Sequence, residues 1–200
     1  NLGAKTLTMS GKGTFNNTNA LVLNNASSKL LLDNTTTVGS VSTSLASSGV
    51  DVNESSTITS LAVGHTTPVS IASGKTLSGG ITVTGGSIKL GETGTLASTV
   101  SMSGGTLDAD NNLTLSGALS QSGNITIDVA ETKILTYEGA SIEIGASALT
   151  ISGGGTFANT NPLELDQGQS QLNLSGITAN YIRTDSNSLG ITVDNSSTVN

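Results

Sequence analysis

One long phrase occurs twice in this chain, and nothing else in the sequence limits its fold as much. Residues Leu7–Leu23 read LTMSGKGTFNNTNALVL, and Leu149–Leu165 read LTISGGGTFANTNPLEL. The match continues downstream, with Ser28, Leu30 and Leu32 facing Ser170, Leu172 and Leu174. After a one-residue slip, VDVNESST at Val50–Thr57 faces ITVDNSST at Ile191–Thr198. A period of about 141 residues inside one chain marks an array whose units stack along an axis. The sequence therefore divides into a first copy over 1–146 and the start of a second over 147–200. It reads as a piece of a longer repetitive protein, and no signal peptide opens it: Asn1 is not followed by a charged region and an apolar run.

Within the repeat the local pattern is short alternation. KTLTM at Lys5–Met9, ALVL at Ala20–Leu23 and KLLL at Lys29–Leu32 are separated by Gly, Asn and Ser, which is a strand signal. From Thr57 to Ile151 inward candidates come in pairs, such as Ile81 and Val83, Ile88 and Leu90, Val100 and Met102, Ile125 and Ile127, and Ile142 and Ile144. Gly-rich corners at Ser78–Gly80, Thr84–Gly86 and Ser103–Gly105 lie between them. Three such strands per turn predict a coil of about 20–24 residues. Residues 35–56 are the weakest stretch. Val38, Val41, Leu45 and Val50 are inward candidates there, but their spacing is irregular, so a loop or an excursion from the coil is expected. The two copies also diverge most here, Tyr181 and Arg183 standing where the first copy has Gly39 and Val41.

An antiparallel sandwich would show similar strand spacing. Against it, the hairpin dipeptides Asn-Gly and Asp-Gly are missing and aromatics make up only 2% of the chain. A cassette that repeats also suits stacking better than a closed sandwich. The expected fold is all-β, a parallel β-helix or β-solenoid, with some nine rungs about 4.8 Å apart in a rod of about 43 Å.

Composition removes several functions. Seven Lys and Arg are scattered without a basic run and the net charge is −7, so the electrostatic footprint of nucleic-acid binding is missing. Cysteine is absent, which excludes disulfides and thiolate metal sites. No stretch reaches the 18 or so apolar residues needed to span a bilayer as a helix, so no membrane insertion is expected in this segment.

Candidate chemistry is sparse. His65, in VGHTTP, has no second His or Cys with which to share a metal and reads as a turn residue. Asp108 and Asp110 form the best local carboxylate pair, and two carboxyls within about 5–10 Å are what glycoside cleavage needs. They read as a polar corner instead, without the Gly-Gly-x-Gly-x-Asp repeats of calcium-binding β-helices. Asp128, Glu131, Glu138 and Glu143 are expected to face outward. Where the copies overlap they share Gly, Leu, Thr, Ser, Asn and one Phe, Phe15 facing Phe157. The acids are not shared: Asp33 faces Ser175, Asp51 faces Thr192, and Asn24 faces Asp166. No catalytic, cofactor or metal residue is assigned, and the chain is not expected to be an enzyme. The candidate contact residues are Asn16, Asn17 and Asn19 with Asn159 and Asn161, whose amides could hold a glycan. They read first as tight turns, because Asn tolerates left-handed φ and bonds its own backbone. Thr-x-Thr pairs at Thr6 and Thr8, Thr57 and Thr59, and Thr82 and Thr84 suggest an ice-binding face but do not recur at one spacing.

The phrasing SGGTLDADNNLTLSG at Ser103–Gly117 and SGGGTFANTNPLEL at Ser152–Leu165 resembles the rungs of bacterial surface β-helices, the autotransporter passengers and filamentous-haemagglutinin-like adhesins. The resemblance covers most of the chain outside 35–56. It implies a right-handed β-helix outside the cell, used for adhesion or as a structural fibre. Its partners would be neighbouring cassettes or identical subunits stacked end to end, with cell-surface glycans or matrix as further candidates. The alternatives are a glycan-acting β-helix enzyme of the tailspike or polysaccharide-lyase type, and a glycan- or ice-binding module.

Overall fold

The alternating runs become strands that pair only with runs one turn away. In the computed structural model, which describes residues 1–184, 187–194 and 196–200, the chain is a parallel β-solenoid of about ten turns. Its first face is one sheet of ten strands: Thr6–Met9, Lys29–Leu32, Gly49–Val52, Thr67–Ile71, Ser87–Gly91, Thr106–Ala109, Ile125–Val129, Ala148–Ser152, Gln171–Leu174 and Gly190–Val193. These open rungs 1 to 10. Each rung continues onto a second face, as in Gly13–Phe15 of rung 1 and Thr156–Asn159 of rung 8. A third face follows, as in Leu21–Leu23, Ile142–Glu143 and Leu163–Leu165. The coil takes about 20 residues per turn, within the expected range and at its short end, which makes room for about ten rungs where some nine were expected.

Because side chains alternate across each strand, register decides what the interior contains. Leu7, Leu30, Val50, Val69, Leu90 and Ala109 pair in sequence and form one inward column. Leu135 pairs with Phe157 and Phe157 with Ala179 on the second face. From Leu23 to Ala179 the core is one continuous cluster of aliphatic side chains plus Tyr137 and Phe157. Each fully buried aliphatic contributes about 1.5–3 kcal/mol relative to exposure. All the inward pairs expected from alternation between Ile81 and Ile151 are buried.

Residues 35–56 correct the sequence reading. They are part of the coil, Thr36–Thr43 forming an eight-residue strand that crosses from the second face to the third, and Gly49–Val52 the first-face strand of rung 3. Val38, Val41 and Val50 are buried as expected, whereas Leu45 is exposed in the turn. The stretch looked irregular because hydroxyls occupy inward corner positions. Thr36, Thr43 and Ser56 are buried, and the Thr36 hydroxyl donates to the Gly11 carbonyl at 2.8 Å. The Ser56 hydroxyl sits within bonding distance of the Asn34 and Glu54 carbonyls, its one proton donating to either, and its oxygen accepts from Thr36 N. Two more eight-residue strands, Ser56–Val63 and Thr76–Val83, make the same crossing. Their register shifts between Ile58 and Leu61, where Thr59 and Ser60 face the single residue Gly80, and Gly79 pairs with Ile58 at the edge of this bulge. A Cβ there would stand 1.9 Å from the Ile58 carbonyl oxygen at φ +116, so only glycine fits.

The third face is divided. Leu119–Gln121 and Ile142–Glu143 lie in separate sheets, and Tyr137 plugs the seam between them. Its hydroxyl accepts from Leu119 N at 3.1 Å and donates to the Ala140 carbonyl at 2.6 Å. A backbone N–H that the ladder leaves unpaired is thereby satisfied by a side chain.

Candidate functional site

The asparagine loops fall at the corner between the second and third faces, at matching places in rungs 1 and 8. In rung 8, the Asn159 side chain donates to the carbonyls of Asn161 and Tyr181 at 2.9 and 2.7 Å, and accepts from Asn180 N at 3.1 Å. In rung 1, Asn17 donates to Asn19 and Ser40 at 2.8 and 2.6 Å, and accepts from Ser40 N at 3.1 Å. One amide thus closes its own corner and ties it to the next rung. Asn161 adds a bond to the Gly139 carbonyl of the preceding rung at 2.7 Å. Of the five residues named from sequence, Asn17, Asn159 and Asn161 spend their amides on backbone, while Asn16 and Asn19 are exposed.

The acidic residues are dispersed. Asp108 pairs with Lys89 at 2.9 Å across adjacent first-face strands, while Asp110 is exposed. The bond to Asp108 and the charges of Asp108, Asp110 and Asp128 push the Lys89 ammonium above its usual range. Asp128 accepts from the Ser152 hydroxyl at 2.8 Å, and Glu131, Glu138 and Glu143 are exposed. Among the described residues no group of three or more His, Asp or Glu comes together as metal ligands. His65 is exposed at the corner before Thr67, whose hydroxyl donates to the His65 carbonyl at 2.9 Å.

Two lateral concavities bear on glycan chemistry. A trough of about 460 Å³ lies along the second face between Lys12, Thr14, Thr35, Thr37, Ser55 and Thr57, with no carboxylate in its lining. A smaller one, about 290 Å³, is lined by Glu164, Asp166 and Arg183 on the third face. Glu164 is held there by Arg183 at 2.7 Å, so its carboxylate is engaged as an ion-pair partner.

The Thr-x-Thr pairs are spread over different faces, Thr6 and Thr8 on the first, Thr57 on the second and Thr82 on the third. A regular threonine column does exist, made from other residues. Thr76, Thr95, Thr114 and Thr136 pair in direct register on the outside of the second face. The column is a half-exposed strip of methyls and hydroxyls repeating at the rung spacing. Its signal in sequence was a Thr directly before each inward residue, Leu77, Leu96, Leu115 and Tyr137. Only the register shows that they align.

No protein-family model, no curated protein and no solved structure matches this chain.

Proposed function

We propose that this chain is a stiff segment of a large repetitive bacterial surface or filament protein, lying outside the cell and acting as a rod or fibre subunit. The observation that carries the reading is what the two copies keep in common. Inward columns, the corner asparagines Asn17 and Asn159, and Phe15 with Phe157 recur, while the acids do not. The unit therefore repeats what stacking requires. Inter-rung hydrogen bonds run along the axis on three faces, so a pull along the rod loads several ladders in parallel. Ion pairs at successive rungs, Lys29 with Asp51, Lys75 with Glu54 and Arg183 with Glu164, add cross-ties on the outside. Such exposed pairs contribute about 0–1 kcal/mol each. Neighbouring cassettes or identical subunits would continue the stack, and the exposed Asn16, with Asn19 where no rung covers it, is the candidate contact to glycans or matrix. An antibody to the chain should label intact source cells, with the label lost when protease is added outside. Labelling only after permeabilisation would overturn the reading.

The threonine column favours a second reading, a glycan- or ice-binding module. Ice-recrystallisation inhibition or a glycan-array signal that disappears in Thr95→Lys would support it, and silence in both assays would remove it.

A further inference from the structure

Rung 8 shows what the N-terminal face of rung 1 is shaped to receive. Phe157 in rung 8 is fully buried, its ring stacked on Tyr137 of rung 7 at 5.9 Å between centroids. Phe15, at the same place in rung 1, is 45% exposed. Leu149, Ile151 and Leu163 are buried under rung 7, while Leu7, Met9 and Leu21 stay half-buried.

The equivalence extends upstream of the sequence phrase and includes the backbone. Leu2 N donates to the Val22 carbonyl at 2.9 Å, as Ile144 N donates to Glu164 at 2.8 Å. Lys29 N donates to the Lys5 carbonyl at 3.0 Å, as Gln171 N donates to Ser147 at 3.2 Å. Polar groups match too. Asn161 reaches the Gly139 carbonyl of rung 7, and its counterpart Asn19 is exposed with the same amide.

We propose that the N-terminal face of rung 1 is a docking surface for a β-rung of the Ile125–Ile144 type. Ile125 and Ile127 of such a rung would lie over Leu7 and Met9, as they lie over Leu149 and Ile151. Leu135 would cover Phe15 and Ile142 would cover Leu21, as they cover Phe157 and Leu163. Asn19 would donate to the carbonyl at the Gly139 position. The last rung of a second copy is a poorer fit. It offers Ile191, Val193 and Val199 in the columns where the rung 7 type offers the larger set Ile125, Ile127 and Leu135. The biological use of the surface rests on the rod reading above, but its chemistry and its test do not.

The chain has no tryptophan, so Phe15→Trp places a single reporter on the face. Residues 106–143 fused directly ahead of Leu2 in the full chain, replacing Asn1, would present the proposed rung in register. Emission of the introduced tryptophan should shift to the blue and its quenching by acrylamide fall several-fold. Amide exchange at Thr6 and Thr8, whose N–H groups point away from rung 2, should slow about tenfold or more. A control fusion whose added segment carries Ile127→Ser and Leu135→Ser should show neither change. Amides of Val69–Ile71 and Gln171–Leu174, protected as in the parent, report that the body is folded. With that body intact, a reporter as quenchable as in the unfused chain would overturn the proposal, and so would equal protection by the control. Emission that shifts with concentration in the unfused chain would give the face to a second copy and overturn it as well. These outcomes are independent of where antibody labels the cell, so either reading can fail alone.

Discussion

Rungs 1 and 8 carry nearly the same words and meet different fates. Both hold an asparagine that closes a corner with the same three bonds, and both present a phenylalanine from the second face. In rung 8 that phenylalanine is buried between Leu135 and Ala179, and in rung 1 its ring meets solvent on one side. Local conformation is thus encoded in the phrase itself, whereas burial is conferred by the rungs on either side. This is the expected energetics of a one-dimensional stack, in which stability is a sum of unit and nearest-neighbour terms.

The largest test of that contrast is the phenylalanine pair. Phe157→Ala should cost about 3–5 kcal/mol, the usual range for deleting a buried aromatic. Phe15→Ala should cost less than about 1 kcal/mol, because part of its surface is already hydrated. Guanidinium unfolding of the two variants compares them directly, and equal losses would mean that rung 1 is covered in solution.

The asparagine pair sharpens the comparison. Asn159→Ala removes a buried amide and its bonds to three part-buried backbone groups, and should cost about 1–3 kcal/mol. Asn17→Ala should cost less than half as much, since water reaches the rung 1 corner. If the two variants unfold alike, the corner bond is worth the same with or without a covering rung.

Tyr137, which lies over Phe157, comes next. Tyr137→Phe removes the bonds to Leu119 and Ala140 and should cost about 1–2 kcal/mol. Burial raises the Tyr137 hydroxyl above its ordinary value, partly offset by the Leu119 N–H. The native state therefore holds this proton more tightly than the unfolded chain does. That contribution is complete below the ordinary tyrosine value of about 10 and is lost as pH rises through the higher native value. Denaturant midpoints followed from neutral to alkaline pH should fall less steeply in Tyr137→Phe than in the parent. Parallel slopes would count against a buried neutral hydroxyl.

The smallest effect is expected near the other end of the stack. Asp194 accepts from the Ser197 hydroxyl at 2.7 Å, from Gly176 N at 3.1 Å and from the Ser175 hydroxyl at 2.9 Å. These bonds hold its carboxyl well below the usual carboxylate range. The sign is opposite to that of Tyr137: the contribution is present above the ordinary aspartate value and is lost as pH falls through the lower native one. A carboxylate NMR titration should find Asp194 still ionised well below the ordinary aspartate range, and Asp194→Asn should slightly flatten the acid limb of stability. Titration of Asp194 at the ordinary aspartate value would mean that the turn is open in solution.

Much of this architecture was legible in advance because a β-solenoid writes its period into the chain. Alternation at Ile81 and Val83, or Ile125 and Ile127, marks an inward pair whichever rung lies above it. Residues 35–56 were misread because Thr36, Thr43 and Ser56 are buried at corners with their hydroxyls bonded to carbonyls. A polar residue used inwardly carries no hydrophobic signal. The asparagine loops were visible as candidates, but their bonds to Ser40 and Tyr181 join residues a full turn apart and could not be read locally. The threonine column was missed for the same reason.

The sequence by itself determined the strand class, the coil period, the inward columns and the repetition of the unit, because each depends on side-chain alternation and on small residues at corners. Only the tertiary structure decided which residues align between rungs, which rung faces are covered, and that Tyr137 seals a divided third face. Those outcomes depend on register, which is set by the summed packing of residues about one turn of the coil apart and not by any one segment.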